Sequence, residues 1–259
     1  MTITVLMENS SRRAELEAEH GLSLHIEIAG RRLLFDTGAS PAFAENATRS
    51  GIDLRAVDMV ILSHGHYDHG GGLLRFLELN THAPIWVGQH AFDAHFNAAG
   101  RDIGLPAGLR GHPQLCTAPE SILELAPGIH LYPACCIQPR HPVDGAGMCC
   151  EIGGIRQPDD FRHEQYLLLE EAGRRILLSG CSHRGILNIA TYFSPDVLIG
   201  GFHLARASSE RIQHIGQRLQ QLPTIYYTGH CTGDTAMAQL KSHLGSRLHH
   251  FSTGDVIIP

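Results

Sequence analysis

The chain has 259 residues, 43% of them apolar, and a net charge of −6 with no long run of either sign. That is enough for a sizeable core, read as one domain over residues 1–259, and it argues against a nucleic-acid or membrane-surface binder. The 19 histidines nearly match the 20 lysines plus arginines, a balance suited to a metal protein, and the single lysine, Lys241, leaves no lysine near the motifs for Schiff-base chemistry.

In chain order, apolar patterning predicts strands near 2–7, 23–29 and 31–36, a helix near 41–50, and a buried strand at 58–63. A helix near 70–79 and a strand near 84–88 follow. The stretch from about 98 to 163 is poor in pattern and rich in glycine and proline. It reads as a long irregular segment that either covers a functional cleft and shapes substrate choice or is an insertion with only packing roles. Beyond it come strands near 166–170 and 174–179, a helix at 185–193, a strand near 196–200 and a helix at 208–222. A strand at 224–228 and a helix at 234–244 complete the chain. Ile212, Ile215, Leu219 and Leu222 give the 208–222 helix one apolar stripe. Periodicity alone establishes a mixture of α and β.

The chemistry concentrates where the 58–63 strand ends. Ser63-His64-Gly65-His66-Tyr67-Asp68-His69-Gly70 places three imidazoles and one carboxylate in six consecutive residues. In extended chain His64 and His66 point to the same side, and Asp68 and His69 lie near a helix N-terminus that favours the carboxylate. Such groups suit one or two divalent cations, with zinc, iron or manganese the natural choices.

This string resembles the H-x-H-x-D-H signature of the metallo-β-lactamase superfamily. Asp36, in Leu33-Leu34-Phe35-Asp36-Thr37-Gly38, resembles that superfamily's early buried aspartate. Gly180-Cys181-Ser182-His183, Gly200-Gly201-Phe202-His203 and Thr228-Gly229-His230-Cys231 resemble one branch of its metal-dependent hydrolases. That branch includes a methanogen synthase that joins a dihydropterin to a ribofuranosyl-aminobenzene phosphate.

The resemblance implies an α+β, four-layer αββα sandwich and a site for two divalent ions, with zinc first and iron or manganese as alternatives. It implies His64, His66, Asp68, His69, His183 and His230 as ligands. Asp36 would orient a ligand histidine from behind. Most of the superfamily has an aspartate where Cys181 stands, so Cys181 is either a thiolate ligand or a small buried residue. His130, His141 and His163 are available for the usual histidine before this strand, but none sits in a matching motif, and His183 is taken as the substitute. Asp68 and His203 are the candidate catalytic groups. Asn9 and Glu19-His20-Gly21 resemble positions near the cleft. Redox diiron relatives replace the second histidine of the signature with glutamate, so His66 favours hydrolysis.

The reaction expected is hydrolysis of a small molecule, phosphorylated or not, by metal-activated water. The alternatives are a transferase condensing a pterin diphosphate with an arylamine, and a non-catalytic metal-binding regulator. Neither a nucleic-acid nor a membrane partner is expected. No apolar stretch approaches the length of a transmembrane helix, and the N-terminus reads as a strand with no basic leader. The seven cysteines include two adjacent pairs and form no secreted disulfide framework, so a reducing, cytoplasmic location is expected.

Overall fold

Alternate residues of each central strand enter two different cores. The computed structural model describes residues 1–259. Its strands are β1 (Thr2–Met7), β2 (Ser23–Ile28), β3 (Arg31–Phe35), β4 (Met59–Ile61), β5 (Ile85–Val87), β6 (Ala94–Phe96), β7 (Leu115–Thr117), β8 (Leu123–Ala126) and β9 (Ile129–Pro133). They continue as β10 (Cys149–Ile152), β11 (Ile155–Pro158), β12 (Gln165–Glu171), β13 (Arg174–Ser179), β14 (Val197–Gly200), β15 (Ile225–Thr228), β16 (Leu248–His250) and β17 (Val256–Ile257). The helices are α1 (Ala42–Arg49), α2 (Tyr67–Gly70), α3 (Leu73–Leu79), α4 (Ile186–Phe193), α5 (Ser209–Leu219) and α6 (Asp234–Leu244).

Two seven-stranded sheets run in the orders β17-β1-β2-β3-β4-β5-β7 and β16-β15-β14-β13-β12-β9-β8. Leu167 and Leu169 of β12 face inward, with Ile176 and Leu178 of β13, to meet Ile26, Leu33 and Ile61 of the first sheet. Tyr166, Leu168 and Leu177 face outward under α4, α5 and α6. On the other side Leu34, Val60 and Ile85 face outward under Phe43 of α1 and Phe76 of α3. Period-two alternation with apolar residues on both faces therefore builds four layers, αββα. The Ser208 hydroxyl caps α5 by accepting from the Arg211 amide, worth about 1 kcal/mol.

Each sheet has a parallel half: β3-β4-β5-β7 in the first and β13-β14-β15-β16 in the second. Parallel strands end on the same edge. That edge carries Asp36 after β3, His64 after β4, Cys181 after β13, His203 after β14 and His230 after β15.

Three expectations need correction. The 98–163 segment is not one irregular loop, because it contains β7 to β11. Its strands are three to five residues long, too short for alternation to show, and they gain order by pairing with distant strands. β9, for example, is antiparallel to β12. The helix expected at 70–79 is two helices, because the chain is helical from Tyr67 and is interrupted between Gly70 and Leu73. The 208–222 helix stops at Leu219, ahead of Pro223, whose ring disfavours helical conformation in the preceding residue.

Candidate metal centre

The ligand candidates converge between the two sheet ends. Ligand atoms of Asp68, His69, Cys181 and His230 lie within 4.8 Å of one another, as do those of His64, Cys181 and His183, and those of His64, His66 and Asp68. His64, Cys181 and Asp68 each belong to two of these groups. All seven side chains are buried. Nε2 of His64 is 3.3 Å from Nε2 of His183, and Nε2 of His69 is 3.2 Å from both Nε2 of His230 and Sγ of Cys181.

The far side of each ring shows which nitrogen is free. Ser63 Oγ donates to Asp36 Oδ2 at 2.7 Å, so it accepts from Nδ1–H of His64 at 2.8 Å. His69 donates Nδ1–H to the same Asp36 oxygen at 2.7 Å. His230 donates Nδ1–H to Asn9 Oδ1 at 2.8 Å. Assigned from these partners, the tautomers of all three rings turn an Nε2 lone pair toward the convergence point. Anchored outer nitrogens with free inner ones are the arrangement that metal-ligating histidines require.

Charge follows the same pattern. Burial pushes His64, His66 and His183 well below the ordinary imidazole value of 6.5. Burial acts the same way on His69, but Asp36 and Asp68 outweigh it and hold His69 up at about 9. Burial also opposes charge on Asp68, yet His69, His20 and His230 keep its carboxyl well below the usual carboxylate range. The centre is thus built for positive charge, and a divalent cation would replace the His69 proton. Burial raises the Cys181 thiol well above its ordinary value; a bound cation reverses that, because a coordinating thiol is deprotonated. These residues fit one or two divalent ions.

These shifts predict the pH dependence of the chelated protein. His64, His66 and His183 refuse protons that the unfolded chain accepts, so stability is lost as pH falls below about 6.5. His69 contributes stability that is complete below about 6.5 and is lost as pH rises through about 9. Urea midpoints of the EDTA-treated protein should therefore peak between these values. A flat profile from about pH 5 to 7 would contradict the buried neutral rings.

Supporting residues come from remote parts of the chain. Glu8, 1% exposed, accepts from Ser10 and from the His230 amide. Glu164, equally buried, accepts from the amides of His183 at 2.7 Å and Arg184 at 3.1 Å, and from the Tyr166 hydroxyl at 2.6 Å. Phe161 stacks on the His183 ring with centroids 4.6 Å apart. Asp36, Ser182, His203 and His230 all adopt positive φ, between 48° and 61°. This conformation is uncommon for residues other than glycine and is often stored at functional sites. Gly180 has no room for a side chain, because a Cβ would lie 2.1 Å from Ser63 Oγ. Gly180→Ala should displace Ser63 from Asp36 and His64, lower metal content and cost about 1–3 kcal/mol. Elemental analysis and urea denaturation would check this, and unchanged metal content would contradict it.

The remaining histidines separate clearly. His130 lies on β9, 3.8 Å from Glu170, and takes no part in the centre. His163 is fully buried behind His66, with ring centroids 5.1 Å apart. It belongs to a further group with His66, His95 and Asp159. His163 Nδ1 accepts from the Gly65 amide at 2.9 Å, so its proton sits on Nε2, which faces Asp159 Oδ2 at 3.5 Å. His95 donates to that oxygen at 2.8 Å. With its outer proton directed at a carboxylate, His163 has no lone pair left for a cation, and this group braces the His64–His66 loop. His20, not derivable as a site residue from local pattern, places Nε2 3.3 Å from Asp68 Oδ2 and stacks against His230. All seven cysteines are free.

His203 touches His183, with ring centroids 4.4 Å apart, and burial together with His230 lowers it to about 4. It lines a cleft of about 620 Å³ that also includes His20, His66, Asp68, Cys181 and His230. Asn97, Ile103, Asp144 and Met148 put the 98–163 region and its flank over this cleft.

The sequence profile of the metallo-β-lactamase superfamily matches residues 18–160. The chain belongs to this superfamily. A superfamily structure described as Tm1679, a metal-dependent hydrolase, superposes with a TM-score of 0.87 at 30% identity, covering 100% of this chain and 99% of that one. MJ0448 of Methanocaldococcus jannaschii is 28% identical over 98% of this chain and 97% of its own. The same organism's 7,8-dihydropterin-6-methyl-4-(β-D-ribofuranosyl)-aminobenzene-5′-phosphate synthase is 29% identical over 93% of this chain and 90% of its own. Proteins similar to this chain are thus named as hydrolase and as synthase, and the His and Asp clusters of this chain suit divalent metal. No helix is long and apolar enough to cross a membrane.

Proposed function

We propose that the chain is an enzyme that hydrolyses a small molecule with two divalent ions, zinc first among them. The observation that supports this best is the set of Nε2 atoms converging from His64, His69, His183 and His230 while the outer nitrogens of three of these rings are anchored. One ion would be held by His64, His66 and His183, the other by Asp68, His69 and His230, with Cys181 able to reach both. Bound there, the ions would supply an activated water at neutral pH and positive charge for a developing oxyanion.

The chain's own groups do the rest. Asp36 and Asn9 fix the rings of His69 and His230. Asp68 accepts hydrogen bonds in the cleft, and His20, whose side chain is 57% exposed, passes a proton between Asp68 and solvent. His203 donates a hydrogen bond to the substrate from the cleft wall. No serine or cysteine nucleophile is required.

Purified protein should carry close to two divalent ions per chain by elemental analysis. Turnover in ¹⁸O-labelled water, across phosphomonoesters, phosphodiesters and lactones, should place label in the product. Absence of metal after reconstitution would overturn the reading. The 29% identical synthase supports a second reading, transfer between two organic substrates. Product without label, together with a requirement for a second organic substrate, would select it.

A further inference from the structure

A second cavity opens beside the metal cleft, and nothing in the hydrolytic chemistry needs it. It encloses about 280 Å³ between the start of α4, one face of α5 and the loops at 141–144 and 202–204. Its floor is apolar: Leu187, Phe202 and Ile215 line it, each less than a tenth exposed. Its mouth carries His141, Arg211 and His214. It shares His183, His203 and Asp144 with the metal cleft, so the two spaces meet at the candidate ligands.

The wall is built. Asn188 accepts from the amides of Arg140 and His141, both at 2.8 Å, and donates to the carbonyls of His141 and Arg184. Three of these bonds fasten the 140–142 loop to the first turn of α4, and the fourth ties Asn188 to Arg184 just ahead of the helix. Asp144 and Arg211 form an ion pair that ties the same loop to α5.

We propose that this cavity holds a flat aromatic group, of one or two rings, on the same molecule whose scissile group sits at the metals. This rests on the hydrolytic reading and adds the substrate class. Three observations point to it. A cavity of about 150 Å³ already accepts benzene, so 280 Å³ has room for two rings. The floor is apolar, while the mouth offers imidazole and guanidinium faces that favour a ring over an alkyl chain. Finally, continuity through His183 and His203 puts such a ring one short linker from the centre.

The test is binding to zinc-loaded protein, read by calorimetry, of three phosphonates: 1-naphthyl, n-octyl and methyl. The naphthyl compound should bind at least about tenfold tighter than the methyl one. Ile215→Trp, which fills the cavity, should erase that advantage without changing metal content. His214→Ala, at an exposed position on the mouth, removes one of the ring faces and should reduce it without disturbing the core. Equal affinity of naphthyl and methyl phosphonates, or an octyl compound binding as tightly as naphthyl, would overturn the assignment.

If no phosphonate binds, the anionic reading of the metal centre fails, and the ring site is judged by 2-naphthol with the chelated protein. Saturation-transfer NMR should then show binding to wild type that is lost in Ile215→Trp. No binding to wild type, or equal binding to both, would overturn the ring site by itself.

Discussion

Asp68→Ala is expected to lower turnover at least about 100-fold while leaving the protein folded. The carboxylate belongs to two of the convergent ligand groups and receives no hydrogen bond that holds the backbone together. Its Oδ2 lies 3.3 Å from His20, 3.4 Å from His230 and 3.9 Å from His69. Removing it therefore strips the centre of negative charge and takes away the group that keeps these imidazoles in register. Far-ultraviolet circular dichroism should match wild type, and elemental analysis should show reduced occupancy. Turnover above about a tenth of wild type would contradict the role, because even outer-sphere losses at metal sites cost about 10–100-fold.

Cys181→Ser carries the second large expected effect. Sγ of Cys181 lies 3.2 Å from Nε2 of His69 and belongs with His64 and His183 in one ligand group and with Asp68, His69 and His230 in the other. A thiolate there would be within reach of both proposed ions. The cobalt-substituted wild type should then show thiolate-to-metal charge-transfer absorption, which disappears in the serine variant. Metal affinity should fall with it, because serine keeps the size but is a poor ligand at neutral pH. A variant that retains its metals, its spectrum and most of its activity would assign Cys181 to packing.

Much of the centre was legible because it is local. A buried strand ending in His64, His66, Asp68 and His69 announces itself within six residues, and the strand-end pattern also picks out His183 and His230. Whether His130, His141 or His163 joins His183 was not legible. Only tertiary structure puts His183 against His64, 119 positions away. It also puts His163 behind His66, His130 near Glu170 and His141 in the side cavity. Glu8 and Glu164 carry no motif, and their function depends wholly on which distant backbone or ring they meet.

Local patterning establishes the mixed α and β elements, the two faces of each buried strand and the residue types able to hold a cation. These follow from periodicity of two or 3.6 and from side-chain chemistry, which act over a few residues. Tertiary structure decided which strand ends adjoin, which nitrogen of each histidine is free, and that a second cavity joins the metal cleft. Those depend on hydrogen bonds such as His230 to Asn9, spanning 221 positions, and on the parallel pairing that brings β3, β4, β13, β14 and β15 to one edge. No local pattern encodes them, because the energy that selects each partner exists only once both sheets are packed.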